Sequence, residues 1–168
     1  MNVDRPYMPG YGLAPATGGR GLLPWSWADD RLAAARRYWI ATVGADGRPH
    51  LAAVWGLWAD GAFHFSTGGA SRKARDLRHD PRVAVSVEGA SESLVLDGVA
   101  ERVIDPSVLG GIESRYIAKY GSGYPDPADN PLMVVRPRTV IAVLESEPDF
   151  TELATRWTFA PDEAPTPG

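Results

Sequence analysis

The chain has no cysteine. Disulfides and thiolate metal sites are therefore excluded, and a reducing compartment is compatible. Histidine is scarce, with His50, His64 and His79 alone. None is spaced against another histidine or a helical carboxylate as metal ligands are, so no metal is expected. No apolar run approaches the ~18 residues of a membrane span, and no continuous apolar core marks a signal peptide near the start. The expectation is a cytoplasmic protein without a membrane partner. A basic excess is also missing. Seventeen Lys and Arg against 21 Asp and Glu leave a net charge of −4, which argues against nucleic acid as a partner. Three chemical signatures are absent as well: the Gly-x-Ser-x-Gly elbow of acyl transfer, the Walker phosphate loop, and a Gly-x-Gly-x-x-Gly opening a βαβ unit.

What is present is ordinary for one globular domain. The 168 residues are 44% hydrophobic and 23% charged, long enough to bury a sizeable core. Residues 1–24 are rich in Gly and Pro and read as an irregular arm. It either drapes on the body or a partner subunit, pinned by Tyr7, Tyr11, Leu22 and Leu23, or forms a loose tail. Ser26 with Asp29 three residues on resembles a capping box, predicting a helix to about Arg37. Tyr38–Val43, Pro49–Trp58 and Ala62–Thr67 read as a three-stranded meander joined by two Asp-Gly turns. Val54–Trp58 is apolar on both faces, which predicts cover on both sides. A helix at about 71–78 stops before Asp80-Pro81. Arg82–Glu88 and Leu94–Ile104 read as strands, with Gly98 a bulge. Pro106 opens a helix to about Tyr120. Leu132–Val135 and Thr139–Leu144 are strands interrupted by Arg136-Pro137-Arg138, and Leu153–Phe159 is a last strand. The expected organisation is an arm at 1–24, a domain at 25–159 and a flexible tail at 160–168. The expected fold is α+β, mainly β: an antiparallel barrel of six or seven strands with two or three flanking helices.

One corner stands out. Phe63–Thr67, a Gly-rich turn and the helix from Ser71 form a strand–turn–helix unit. Arg72, Lys73 and Arg75 crowd the first helical turn, where anions are favoured over cations. A bound phosphate resolves that misfit, with backbone N–H groups, the hydroxyls of Ser66, Thr67 and Ser71, and the cations converging on it. A solvated basic helix face is the other reading. Trp55, Trp58 and Trp157 either cover a planar ring or pack in the core. Arg156-Trp157 either closes a site from a partner subunit or includes a surface arginine. His50 either lines a cleft or sits on a strand surface. Tyr116, Lys119 and Tyr120 share one helix face that either packs structurally or flanks a pocket.

An ordered set of segments now carries a resemblance: Ile40–Val43, Asp46–His50, Val54-Trp55, Phe65–Thr67, Ser71–Leu77 and Asp80–Val83. Across roughly residues 36–159 the chain resembles the flavin- and deazaflavin-binding split β-barrel proteins of the pyridoxamine 5′-phosphate oxidase-like superfamily. The resemblance implies a homodimer with a cofactor, F420 (slightly favoured) or FMN, at the subunit interface. It implies that Arg72 and Lys73 after Ser71 hold the cofactor phosphate, and that Ser66 and Thr67 contact the phosphate or the ribityl chain. The strand around Val54 and Trp55 would lie along the ring, His50 near the cofactor, and Arg156 and Trp157 would reach it from the other chain. The implied activity is hydride transfer to or from a small organic substrate, with no catalytic side chain named. The alternatives are a flavin, deazaflavin or haem carrier of the same fold, or a pyridoxamine 5′-phosphate oxidase. Two departures stand against the family pattern. Asp76 occupies a position where asparagine is often found, and the C-terminal substrate motif of true pyridoxamine 5′-phosphate oxidases is not clearly shown.

Overall fold

A computed structural model of the chain describes residues 1–87, 89, 91–160 and 165. Its elements in order are β1 (Asn2–Asp4), α1 (Trp25–Ala34), β2 (Tyr38–Val43), β3 (Pro49–Val54), β4 (Leu57–Ala59), β5 (Ala62–Ser66), α2 (Arg72–His79), β6 (Arg82–Val87), β7 (Glu92–Arg102), α3 (Pro106–Tyr120), β8 (Leu132–Leu144), α4 (Asp149–Leu153) and β9 (Thr155–Thr158). The architecture is α+β, a mostly antiparallel sheet with four helices. The nine strands among the described residues exceed the expected six or seven, because the arm contributes β1 and one long strand divides in two.

Alternation drives the barrel wall. Tyr38, Ile40 and Thr42 of β2, Val83, Val85 and Val87 of β6, and Leu94, Leu96 and Ala100 of β7 point inward and are buried, as a period of two requires. Hydrogen bonding runs β8–β7–β6–β2–β3 along one path, while β4 pairs with β5 and β5 with β8. The ring closes through the covalent link from β3 to β4 at Trp55-Gly56, which makes the barrel split. The expected meander is therefore corrected. β3 pairs with β2 and β4 with β5, so the two halves of the anticipated Pro49–Trp58 strand serve different neighbours. Gly56 is the cause. A Cβ there would overlap the ring of Phe63 and stand 2.9 Å from the His64 carbonyl. Both-face cover also fails at Trp55, which is 59% exposed.

β8 is one continuous strand, not two. Its whole length pairs with β7 on one edge. On the other edge Leu132–Val135 pairs with β5, and Thr139–Ala142 pairs with β9. Pro137, which lacks an N–H, falls where that edge changes partner and opposite the bulge at Asp97/Gly98, the setting in which a strand tolerates proline. The register shift falls at Gly98, where the sequence reading put a bulge, but the extra residue is Arg138 on β8.

Helix α1 differs from its predicted form. It starts at Trp25 after Pro24, with no side-chain cap, and ends at Ala34. Ser26 is inside it. Tertiary packing sets the start: the Trp25 ring meets Trp58, Trp157 and Phe159 edge-on or tilted. In α2, Ser71 is the N-cap and accepts from the Ala74 N–H. The buried Asp76 accepts from the Thr42 hydroxyl at 2.8 Å, fastening α2 to β2. Asp105 caps α3, and Gly121 ends it in the left-handed conformation.

The arm lies on its own subunit. β1 pairs with β9, Arg5 donates to the carbonyls of Ala14 and Ala154, and Arg20 pairs with Asp149 and Glu152. Leu23 is buried, whereas Tyr7 and Tyr11 are exposed. The predicted last strand begins later than expected, because Asp149–Leu153 is a helix. Of the tail at 160–168, positions 161–164 and 166–168 lie outside the described residues, as does Glu88 at the expected end of β6; Pro165 packs over Gly61. No helix among the described residues is long and apolar enough to cross a membrane.

Two stability outcomes follow from these contacts. Gly56→Ala should lower the unfolding free energy by about 1–3 kcal/mol through overpacking. Gly110→Ala, where an added Cβ meets nothing within 4 Å, should raise it by about 0.5–1 kcal/mol in the interior of α3. Thermal melts of the pair should shift in opposite directions. Thr42→Val should cost about 1.5–3 kcal/mol in urea unfolding, because it removes a hydrogen bond to a charged group. Thr42→Ser, which keeps the hydroxyl, should recover most of that loss.

Candidate cofactor-binding site

The strand–turn–helix corner is held by a second loop. Gly69 donates to the Asp129 carbonyl at 2.8 Å and Ser66 Oγ to the Asn130 carbonyl at 3.1 Å. Arg78 donates to the Gly69 carbonyl, and the Ser71 N–H to that of Gly68. The turn is thus fixed before any ligand arrives. Thr67 Oγ1 and Ser71 Oγ are 3.0 Å apart and share one hydrogen bond. That bond uses one of their two protons, so one hydroxyl donor remains. The N–H groups of Arg72 and Lys73 occupy the first helical turn, where no intrahelical acceptor exists. These donors, with two cationic side chains, are the groups that a helix N-terminus can offer to an anion.

Asp76 is the acidic member of the corner. Its carboxylate is 6% exposed and takes its hydrogen bond from Thr42. The Arg72 Nε lies 3.8 Å away and the His50 Nδ1 3.7 Å away. Neither is a hydrogen bond; the Arg72 guanidinium is close enough for Coulombic attraction. Asp76 therefore aims Arg72 and His50 while Thr42 satisfies it. His50 stands opposite Thr42 in the β2–β3 register, and its Nδ1 is buried without a hydrogen-bond partner. Beside this group a cavity of about 420 Å³ is lined by Arg48, Arg72 and Arg75, by Asp46 and Asp76, and by Gly44 and Ala45.

The structure brings Ser66, Thr67, Ser71, Arg72, Lys73 and His50 to one corner. β3 then leads away from His50 to its far end, where Val54 is buried and Trp55 is exposed. Five residues of strand separate His50 from Trp55, about 16 Å. At that end Trp55 stacks on Tyr120 with ring centroids 5.4 Å apart and planes 9° apart. The Tyr120 hydroxyl donates to the Arg36 or the Gly56 carbonyl, at 2.7 and 2.8 Å. Lys119 Nζ reaches the carbonyls of Ala33 and Gly56 and the Tyr38 hydroxyl. Burial, and secondarily Arg36, pulls the Lys119 pKa down to about 8. Tyr116, the third member of that helix face, is core, packed against Tyr120 and Tyr124.

Arg156 and Trp157 do not join the corner within this chain. Trp157 is fully buried, edge-on to Trp25 at 5.6 Å. Its indole belongs to the core of its own subunit and is not free to reach a ring across an interface, so that expectation is corrected to core packing. Arg156, on the other face of β9, lies 3.9 Å from Asp4. Sequence reasoning missed Thr42, Arg48 and the Asp129-Asn130 brace. The signal for Thr42 was present: a hydroxyl on the inward face of β2 needs a buried partner.

Comparison with known proteins places this geometry. A pyridoxine/pyridoxamine 5′-phosphate oxidase of Kineococcus radiotolerans is 29% identical over 133 residues, covering 76% of this chain and 56% of that protein. The chain thus spans little more than half of that relative's length. A conserved hypothetical protein of Mycobacterium tuberculosis superposes with a TM-score of 0.64 at 26% identity, covering 73% of this chain and 86% of that one. An F420 reductase superposes with a TM-score of 0.55 at 27% identity, covering 67% and 94% respectively. The pyridoxamine 5′-phosphate oxidase family pattern matches residues 28–144, from within α1 to the last residue of β8. That span takes in every element of the corner, and the chain belongs to the pyridoxamine 5′-phosphate oxidase family.

Proposed function

We propose that the protein is an oxidoreductase that binds F420 or FMN, with the cofactor phosphate at the N-terminus of α2, and transfers hydride to or from a small organic substrate. The observation that carries this reading is the convergence of free helix N–H groups, a spare hydroxyl donor and two cations at Ser71-Arg72-Lys73, on a turn braced in advance by Asp129 and Asn130. The donor set fits a phosphate. F420 is favoured over FMN, since the likeness to the F420 reductase runs through 94% of that chain and the likeness to the curated oxidase through 56% of that protein. A bound flavin or deazaflavin supplies the hydride chemistry. The chain's part is to hold the phosphate with Arg72 and Lys73, to set Arg72 and His50 through Asp76, and to offer the backbone of β3 near Val54 and Trp55 to the ring.

A second copy of the chain fits the outer face of β2 and β3. The register places Trp39 beside Ala53, Ala41 beside Leu51 and Val43 beside Pro49. Trp39, Val43 and Leu51 are 39%, 39% and 62% exposed. An apolar sheet face of this kind is a normal subunit contact. Because β3 also carries His50, a dimer there would set each cofactor beside the interface.

Titration with FMN and with F420 tests the cofactor, and the visible spectrum of the complex tells one from the other. Arg72→Ala with Lys73→Ala should weaken binding by at least about tenfold for each charge removed. Asp76→Asn, which keeps an acceptor for Thr42 and removes a negative charge, should tighten it. Micromolar binding by neither cofactor would refute the reading. A bound cofactor that no electrophilic acceptor can reoxidise would make the protein a carrier. For the dimer, sedimentation should give two chains for the wild type and one for Leu51→Glu, with weaker cofactor binding in the monomer.

A further inference from the structure

A second cavity, of about 510 Å³, lies at the other end of β3. It is lined by Ala34, Ala35, Arg36, Arg37, Trp55 and Tyr120. Its size suits a small planar ligand, and among the described residues no carboxylate lines it. We propose that this cleft is a subsite for the anionic group of a planar aromatic substrate, with the Arg36 guanidinium as its charge partner and the open face of Trp55 as its platform.

Trp55 is unusual for a large aromatic in a barrel wall. One face of the indole rests on Tyr120, nearly parallel, yet the residue remains 59% exposed. The opposite face is therefore available for stacking. The platform is rigid because its support is. The Tyr120 hydroxyl sits within hydrogen-bond distance of both the Arg36 and the Gly56 carbonyls, and it also accepts from the Gly56 N–H at 3.2 Å. Gly56 in turn cannot shift toward Phe63, whose ring fills the space a side chain would take.

The charge is as well placed as the ring. Arg36 is exposed. It spends one guanidinium N–H on the Lys119 carbonyl at 2.8 Å, and its Cζ lies 5.1 Å from the centre of the Tyr120 ring. The remaining donors of its planar fork match a carboxylate. Lys119 adds a second positive charge behind it, with its ammonium at two carbonyls and a hydroxyl. Among the described residues neither Arg36 nor Lys119 has a carboxylate partner. Two neighbouring cations without an acid leave a local excess of positive potential. A neutral ligand would gain the stack but leave that charge unanswered.

Calling the occupant a substrate rests on the reading above, in which the ring runs along β3 toward Trp55. Recognition of an aromatic anion stands on the cleft itself. The test uses a matched pair of planar probes, 2-naphthoate and 2-naphthamide, titrated calorimetrically into the full-length protein. The wild type should bind the anion at least about tenfold more tightly than the amide. Arg36→Gln should abolish most of that preference while leaving the amide unchanged, and Arg36→Lys should keep part of it. Trp55→Leu should weaken both probes by a similar factor. Both side chains are exposed, and melting curves verify that each variant is folded. Equal affinity for the two probes in the wild type, a preference that survives Arg36→Gln, or no binding of either at millimolar concentration would overturn the proposal. If the protein binds neither FMN nor F420 yet prefers the naphthoate through Arg36, the subsite stands without the cofactor reading. If it binds a cofactor and shows no anion preference, the subsite alone falls.

Discussion

The ring of Phe63 occupies the place where a side chain on Gly56 would be, and much of the molecule follows from that one steric fact. Because only glycine fits, the chain can cross from β3 to β4 with its backbone pressed against β5. The strand breaks there, and its two halves are released to different partners. The break closes the barrel through covalent continuity where a hydrogen-bonded ladder would otherwise be needed. It also turns Trp55 out of the wall while Val54 and Leu57 stay in it. The freed Gly56 carbonyl then becomes the acceptor that gathers Lys119 and Tyr120 from the end of α3. Packing, topology and the aromatic cleft share a single cause.

At the opposite end of β3 the controlling interaction is electrostatic. An aspartate at an anion site weakens that site by simple repulsion. Asp76 nonetheless sits there buried, and its hydrogen bond from Thr42 is what joins α2 to the barrel. Structural attachment and anion affinity therefore pull in opposite directions at this residue. The arrangement softens the conflict by placing Arg72 and His50 within 4 Å of the same carboxylate oxygen. The Arg72 guanidinium is thereby aimed as well as partly neutralised. On the proposed reading, the remaining attraction for a phosphate would come from the backbone N–H groups of the first turn of α2.

What could be read from the sequence divides along physical lines. β-rich composition placed β2, alternation placed β6, and β7 was found within two residues at each end, because each of these strands has one exposed and one buried face. Asp60-Gly61 and Gly47 adopt the positive φ angles that their turns demand. The misreadings all arise where a distant contact overrides a local pattern. Val54–Trp58 is apolar throughout and carries no mark of its break, which depends on Phe63. The start of α1 is set by Trp25 meeting Trp58, Trp157 and Phe159, not by Ser26. Pro137 reads as an interruption until the register shift opposite Asp97/Gly98, with Arg138 as the extra residue, accommodates it. Trp157 was expected at a cofactor because an indole beside an arginine on a C-terminal strand looks available, and its burial is visible only once β9 is placed between β1 and β8.

Membership in the family brings the barrel and its corner, but a fold does not choose a substrate. That choice falls to residues outside the frame of strands, and on the proposal above they lie on the linker between α1 and β2 and on the last turn of α3. β3 joins the two ends of the site through its own backbone. One end presents helix N–H groups and cations on a braced turn, which suits the compact charge of a phosphate. The other presents a flat indole beside a guanidinium fork, which suits a spread charge on a ring. A ligand bridging both must be anionic at its far end and planar along the strand, or two ligands must share the strand end to end. The second arrangement is the one the proposed oxidoreductase would need, with cofactor and substrate meeting along β3 while each is held by its own charge.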